Sequence, residues 1–185
     1  MIRMPEEKDA LKLFEYLLNP AVGMYSRIKP ASPEELWFSL MEKSEAADSI
    51  VRVIVDDADE PVGFIAIWNY NRFAREGFLA TIIAEEHWGK GYNQRAKAAF
   101  LAEVFRQGLE CAIVLVRKSN QRSLKAVSKL PYACAMTVEE RARLQNLYTG
   151  ITDEHEVFGI YRDVFERVQA EIPASAYQVL PVLEN

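Results

Sequence analysis

A strand-like run from about Gly77 to Ala84 breaks into the turn His87-Trp88-Gly89-Lys90-Gly91-Tyr92-Asn93. A helical pattern then runs to about Gln107, with Gly108 as its stop. This strand, glycine turn and helix constrain the chain more than any other stretch. Two glycines one residue apart permit positive φ and a close approach of backbone to ligand. The first N–H groups of a helix have no internal partner, and its dipole favours negative charge there. The turn reads as a diphosphate cradle, or more plainly as a way to turn a strand into a helix. It is not a Walker P-loop, because the glycine spacing differs and no Lys-Ser/Thr pair follows. Nor does it carry the third glycine of a Rossmann fingerprint.

The flanking pattern is mixed α and β. Pro5-Glu6-Glu7 opens a helix with the apolar face Ala10, Phe14, Leu17 and Leu18, ended by Pro20. Residues 20–31 read as a loop containing Met24, Tyr25 and Arg27. Ser32-Pro33-Glu34-Glu35 predicts a second helix start with a capping box. Strands are expected over Ile50–Val55, Val62–Trp68 and Gly77–Ala84, close enough in sequence to form an antiparallel meander. Ala112–Val116 gives a further strand, and Asn120 starts a helix that stops at Pro131. That β-α-β-α order makes its two strands parallel. Tyr132–Met136 reads as a strand and Thr137-x-x-Glu140 as a helix start; Val157, Ile160, Tyr161, Val164, Phe165 and Val168 fit one helical face, but a strand over His155–Tyr161 followed by a short helix is preferred.

The chain has 185 residues and is half hydrophobic, which suits one domain, taken as residues 1–170 with a tail over 171–185. A net charge of −5 disfavours nucleic acid as a partner. No apolar h-region opens the chain and no run is long enough to span a membrane, so a cytoplasmic protein with no membrane partner is expected. Cys111 and Cys134 read as two buried thiols, and His87 and His155 stand apart without a cysteine cluster, so no metal is expected. Between His87 and Leu130, nine basic residues (Lys90, Arg95, Lys97, Arg106, Arg117, Lys118, Arg122, Lys125 and Lys129) stand against Glu103 and Glu110. A local cationic stretch in an acidic chain suits a small polyanion. Lys97 and Arg106 fit ordinary solvated helix faces.

Ile82-Ile83-Ala84-Glu85-Glu86-His87-Trp88-Gly89-Lys90-Gly91-Tyr92 resembles the strand, turn and helix start of the GNAT N-acetyltransferases, whose glycine turn grips the pyrophosphate of CoA. Trp-Gly-Lys-Gly-Tyr is especially similar to the branch of ribosomal-protein N-acetyltransferases. Asn120-Gln121-Arg122-Ser123, running on to Lys129-Leu130, resembles that family's second signature. The similarity is strong over residues 82–130 and weaker over the rest of 2–168. It implies a mixed, largely antiparallel α/β (α+β) sheet with a central splayed parallel pair and flanking helices. It also implies acetyl-CoA as co-substrate, without a metal, and a primary amine of a small molecule, peptide or protein N-terminus as acceptor. Departures are Asn93 at the last small position of the turn, Arg95 in place of an acid, Pro131-Tyr132 in place of Gly-Phe, and Val127 where many relatives place a tyrosine acid.

The resemblance assigns the cofactor to Ile82, Ile83, Ala84, Trp88, Gly89, Lys90, Gly91, Tyr92, Asn93, Asn120, Ser123 and Lys129. Ser123 resembles a proton donor to the leaving thiolate, with a helix-start hydrogen bond as its plainer role. Tyr132 is a second donor candidate or a core aromatic. Among possible bases, Glu76 and Glu85 flank the cleft strand; Glu85 is preferred, acting through water, and His87 is weaker. Tyr25, Arg27, Trp68, Tyr70 and Arg72 are candidate acceptor walls. The segment between Met136 and His155 either closes over the acceptor site or forms a homodimer contact. A non-catalytic CoA-binding module is the alternative to an enzyme.

Overall fold

The computed structural model describes residues 1–171, so the expected tail, apart from Glu171, lies outside the described residues. The strands are β1 Ile2–Arg3, β2 Ile50–Val55, β3 Pro61–Asn71, β4 Glu76–Ile83, β5 Cys111–Arg117, β6 Cys134–Ala135 and β7 His155–Tyr161. The helices are α1 Asp9–Leu18, α2 Pro20–Gly23, α3 Pro33–Glu45, α4 Tyr92–Arg106, α5 Gln121–Val127, α6 Val138–Leu147 and α7 Arg162–Glu171. One sheet takes the order β1-β2-β3-β4-β5-β7-β6. Every pairing is antiparallel except β4 with β5. This is the mixed, largely antiparallel sheet that the sequence implies.

The parallel pair is short. Glu76 pairs with Cys111, Gly77 with Ala112 and Phe78 with Ile113, and the pairing stops there. Beyond it β4 stays on β3 as far as Ile83 opposite Gly63, while β5 stays on β7 as far as Arg117 opposite His155. The two strands therefore diverge, and a wedge opens between Leu79–Ile83 and Val114–Arg117.

Alternation along the strands separates two faces. Ile65, Ile67, Leu79 and Ile83 pack with Phe100, Leu101, Val104 and Phe105 of α4, with Val127 and Leu130 around α5, and with Phe165 of α7. On the opposite face Val51, Val53, Phe64 and Ala66 pack with Leu13 of α1 and with Leu36 and Leu40 of α3. Phe78, Ile113 and Val157 share that second face and receive Leu144 of α6. Each fully buried large side chain contributes about 1.5–3 kcal/mol.

Several expectations are corrected. The buried face of α1 runs through Ala10, Leu13 and Tyr16, and Leu18 is exposed. The helix opens at Asp9, whose buried carboxylate is held by two 2.8 Å hydrogen bonds from Arg3 and accepts the Glu6 N–H. The loop after Pro20 begins with α2. The box at Ser32 is half formed: Ser32 Oγ accepts from Glu35 N–H, but the Glu35 carboxylate accepts from Ala31 N–H. At Thr137 both halves are present. The Tyr132–Met136 strand shrinks to two residues. Cys111 is buried, but Cys134 is exposed, because β6 is an edge strand.

Candidate functional site

A 3-10 turn, Glu85–His87, ends β4 and leads into the glycine turn. Gly89 and Gly91 take φ of 77° and 80°, the left-handed region that favours glycine, and a side chain built on either would point into open space. His87 N–H bonds Ala84 O and Trp88 N–H bonds Glu85 O; chain partners resume with Arg95 N–H on Gly91 O. Among the described residues the N–H groups from Gly89 to Gln94 have no hydrogen-bond acceptor. Six consecutive free donors at the N-terminus of a 15-residue helix make an open anion seat.

Trp88 fixes this turn to the strand. Its indole N–H donates to Ile83 O at 2.8 Å, and the Arg122 guanidinium of α5 stacks on the ring 3.5 Å from its centre. Burial lowers the Arg122 pKa, while nearby Glu85 raises it. Ala84 N–H is spent on Val62 O. By strand alternation the backbone groups of Thr81, and the N–H of Ile83, face the wedge, while those of Ile82 face β3. Of the expected Ile82-Ile83-Ala84 trio, Ile83 therefore offers a free group to the wedge, and Thr81 joins it.

Across the wedge, Asn120 is buried and caps α5, its Oδ1 accepting from Ser123 N–H at 3.1 Å. Ser123 Oγ has no partner among the described residues and is half-buried. Lys129 is exposed. Tyr132 lies in the core, its ring edge-on to Phe165 at 5.0 Å, and Val127 is buried with it. Tyr25 OH donates to Ser119 O at 3.2 Å, carrying the loop after α2 across to the start of α5.

The base candidates separate. Glu76 is 4% exposed, grasped by both Arg143 nitrogens at 3.0 and 2.7 Å and by Tyr148 OH at 3.2 Å. It sits at the closed end of the wedge and anchors α6. Glu85 is exposed and accepts from Asn19 Nδ2 at 2.8 Å. His87 Nδ1 is buried without a hydrogen-bond partner among the described residues, its ring lies edge-on to Tyr92, and burial lowers its pKa.

The acceptor walls also separate. Arg27 and Trp68 line a cavity of about 410 Å³ on the α3 face. Tyr70 and Arg72 line a different cavity of about 340 Å³ with Gln107. The half-exposed Ala80 and Ile82 lie between the α1–α3 packing and α6 on one face, so they floor a groove open to the wedge.

One residue departs furthest from expectation. Lys97 is 6% exposed, not solvated, and its Nζ donates to Thr81 Oγ1 at 2.9 Å and to Asn93 Oδ1. Burial pushes its pKa down to about 7. Its position was legible: it stands three and four residues before Phe100 and Leu101 on the inward stripe of α4. Arg122 over Trp88 carried no comparable sequence signal.

Among the described residues no group of His, Cys, Asp and Glu could hold a metal ion, and no helix is long and apolar enough to cross a membrane. The acetyltransferase (GNAT) domain family matches residues 1–132. No curated protein matches the chain. Spermidine N-acetyltransferase from Vibrio cholerae, in complex with CoA and spermine, is similar in structure: 16% identity, TM-score 0.69, covering 90% of this chain and 97% of that one. A chimera of that Vibrio cholerae enzyme with hSSAT gives 18% identity and a TM-score of 0.71 over 90% and 97% of the two chains. The free N–H run and the splayed parallel pair fit a CoA diphosphate and its pantetheine arm, and the chain belongs to the GNAT family as an acyl-CoA-dependent N-acetyltransferase.

Proposed function

We propose that the protein acetylates a primary amine carried by a small molecule, a peptide or a protein N-terminus. The observation that carries this reading is the run of six unpartnered N–H groups, Gly89 to Gln94, opening beside the wedge between β4 and β5. Trp88, Lys90, Tyr92 and Asn93 border the same seat, and Asn120 and Ser123 face it across the wedge. The catalytic domain ends with α7, near residue 170.

Bound acetyl-CoA supplies an activated acyl group as a thioester. The chain's work is then placement. N–H groups of Thr81 and Ile83 face the wedge and are positioned to polarise the thioester carbonyl; one such donor is worth about 2.7–4 kcal/mol. The amine arrives neutral along the floor of Ala80 and Ile82. Its nitrogen bonds to the acyl carbon, the carbon–sulfur bond breaks, and the thiolate needs a proton. Ser123 Oγ, without a partner among the described residues, donates it and is reprotonated by the surplus amine proton, which travels through water by way of Glu85. Holding amine and thioester together supplies about 7–11 kcal/mol, so modest proton transfer suffices. Tyr132, enclosed against Phe165, serves the core in this scheme. The small-molecule acceptor draws support from the spermine held by the similar Vibrio cholerae enzyme.

Thiol release from acetyl-CoA across a panel of polyamines, amino acids and N-terminal peptides tests the reading. Amine-dependent release is expected. Release that never exceeds the amine-free rate contradicts it.

A further inference from the structure

Lys97 is a buried amine for which the mechanism above has no use. Its Nζ meets two neutral oxygens, Thr81 Oγ1 on β4 and Asn93 Oδ1 in the first turn of α4, and no carboxylate among the described residues. A buried charge without a counter-ion is costly, and such a group sheds its proton. Yet Asn93 lies within the unpartnered N–H run that seats the diphosphate, one helical turn from Lys97. The missing counter-ion thus corresponds to the ligand itself.

Among the described residues the surroundings supply no alternative anion. No charged residue lies on β4 between Glu76 and Glu85. The turn and α4 bring His87, Lys90, Tyr92, Arg95 and Glu103, and Glu103 is taken by Arg52 of β2. β1 brings the Met1 ammonium and Arg3, the latter held by Asp9, and β3 brings Tyr70. Across the wedge stand Arg117, Arg122 and Lys125; α7 meets α4 at its far end through Phe165 on Phe105. Glu85 and Glu86, in the 3-10 turn, are exposed.

We propose that Lys97 is a positioning residue whose ammonium forms when the CoA diphosphate seats above it, so that cofactor binding takes up a proton. The proton comes from solvent and forms the third N–H bond on Nζ. The charged group then holds Asn93 and Thr81 together, tying the anion seat to the strand that lines the pantetheine path. With the lysine pKa near 7 in the free protein, the empty site is largely neutral above that pH and the filled one is charged. The inference rests on the CoA seat proposed above.

Calorimetry with dephospho-CoA tests it, since that ligand keeps the diphosphate and lacks the phosphomonoester that titrates near neutrality. Heats measured at pH 7.5 in phosphate and in Tris give the protons exchanged; uptake of about three-quarters of a proton per ligand is expected. Lys97→Met should abolish the uptake, weaken binding about fivefold, and leave thermal unfolding at or above the wild-type temperature, because the apolar stem stays packed. His87→Gln should retain the uptake. Thr81→Val, which keeps the lysine and removes one partner, should retain it as well. Binding without uptake, or uptake that survives Lys97→Met or disappears in His87→Gln, overturns this inference and leaves the CoA seat standing. Absence of any binding overturns both.

Discussion

Arg122 lies over the indole of Trp88, its guanidinium carbon 3.5 Å from the ring centre, while the indole N–H holds Ile83 O. One stacked pair thus couples α5, the glycine turn and the diverging end of β4. A contact of this kind with an exposed arginine contributes about 1 kcal/mol. Arg122→Ala should weaken CoA binding about threefold to tenfold, and Arg122→Lys should recover only part of it, because an ammonium lacks the planar stacking surface. Titration calorimetry checks both variants.

Glu76 and Arg143 pin α6 to the start of β4. Removing the arginine leaves a nearly buried carboxylate with only Tyr148 OH. Losing one partner of a fully buried pair costs about 3–5 kcal/mol, but Arg143 is almost half exposed, so about 1–3 kcal/mol is expected for Arg143→Met. Urea unfolding reads the loss, and Glu76→Gln should be milder.

The two thiols should differ sharply. Burial, with Glu76 nearby, pushes the Cys111 thiol up to about 12, while Cys134 is exposed on β6. A thiol reagent at pH 8 should modify one cysteine quickly and the second only on unfolding. Cys134→Ser should remove the fast phase.

Both histidines have pKa values lowered from 6.5, chiefly by burial. Their neutral forms are favoured in the fold, so the unfolded chain binds more protons as pH falls through 6.5. The corresponding stability is fully present above that pH and is lost as pH drops through the lower folded values. Thermal unfolding between pH 7 and 5 should show this decline, with a shallower slope in His87→Phe.

Much of the fold was legible because β2 and β5 are β-branched runs, because breakers bound β2, β3 and β4, and because Ser32 and Thr137 begin their helices with hydrogen-bonding caps, whereas β7 fits a helical face as well as a strand. The glycine turn was legible because positive φ needs glycine. What escaped was decided by tertiary contact. Leu18 and Leu13 look alike in sequence, and only docking on α3 chooses Leu13. Glu76 and Glu85 are equivalent as letters, yet α6 claims the first. Tyr70 and Arg72 line a different cavity from Arg27 and Trp68, a separation that strand spacing does not reveal.

The central claim is that the backbone of Gly89 to Gln94 seats the diphosphate of CoA. Calorimetric titration of CoA into the wild type and Gly91→Glu measures it most directly. Glutamate there would place bulk and negative charge over the open turn, at a left-handed φ that costs an L-residue about 1–2 kcal/mol. The expected result is one CoA per chain for the wild type and no detectable binding for the variant, with far-ultraviolet circular dichroism unchanged. Equal affinity in the two proteins would contradict the account.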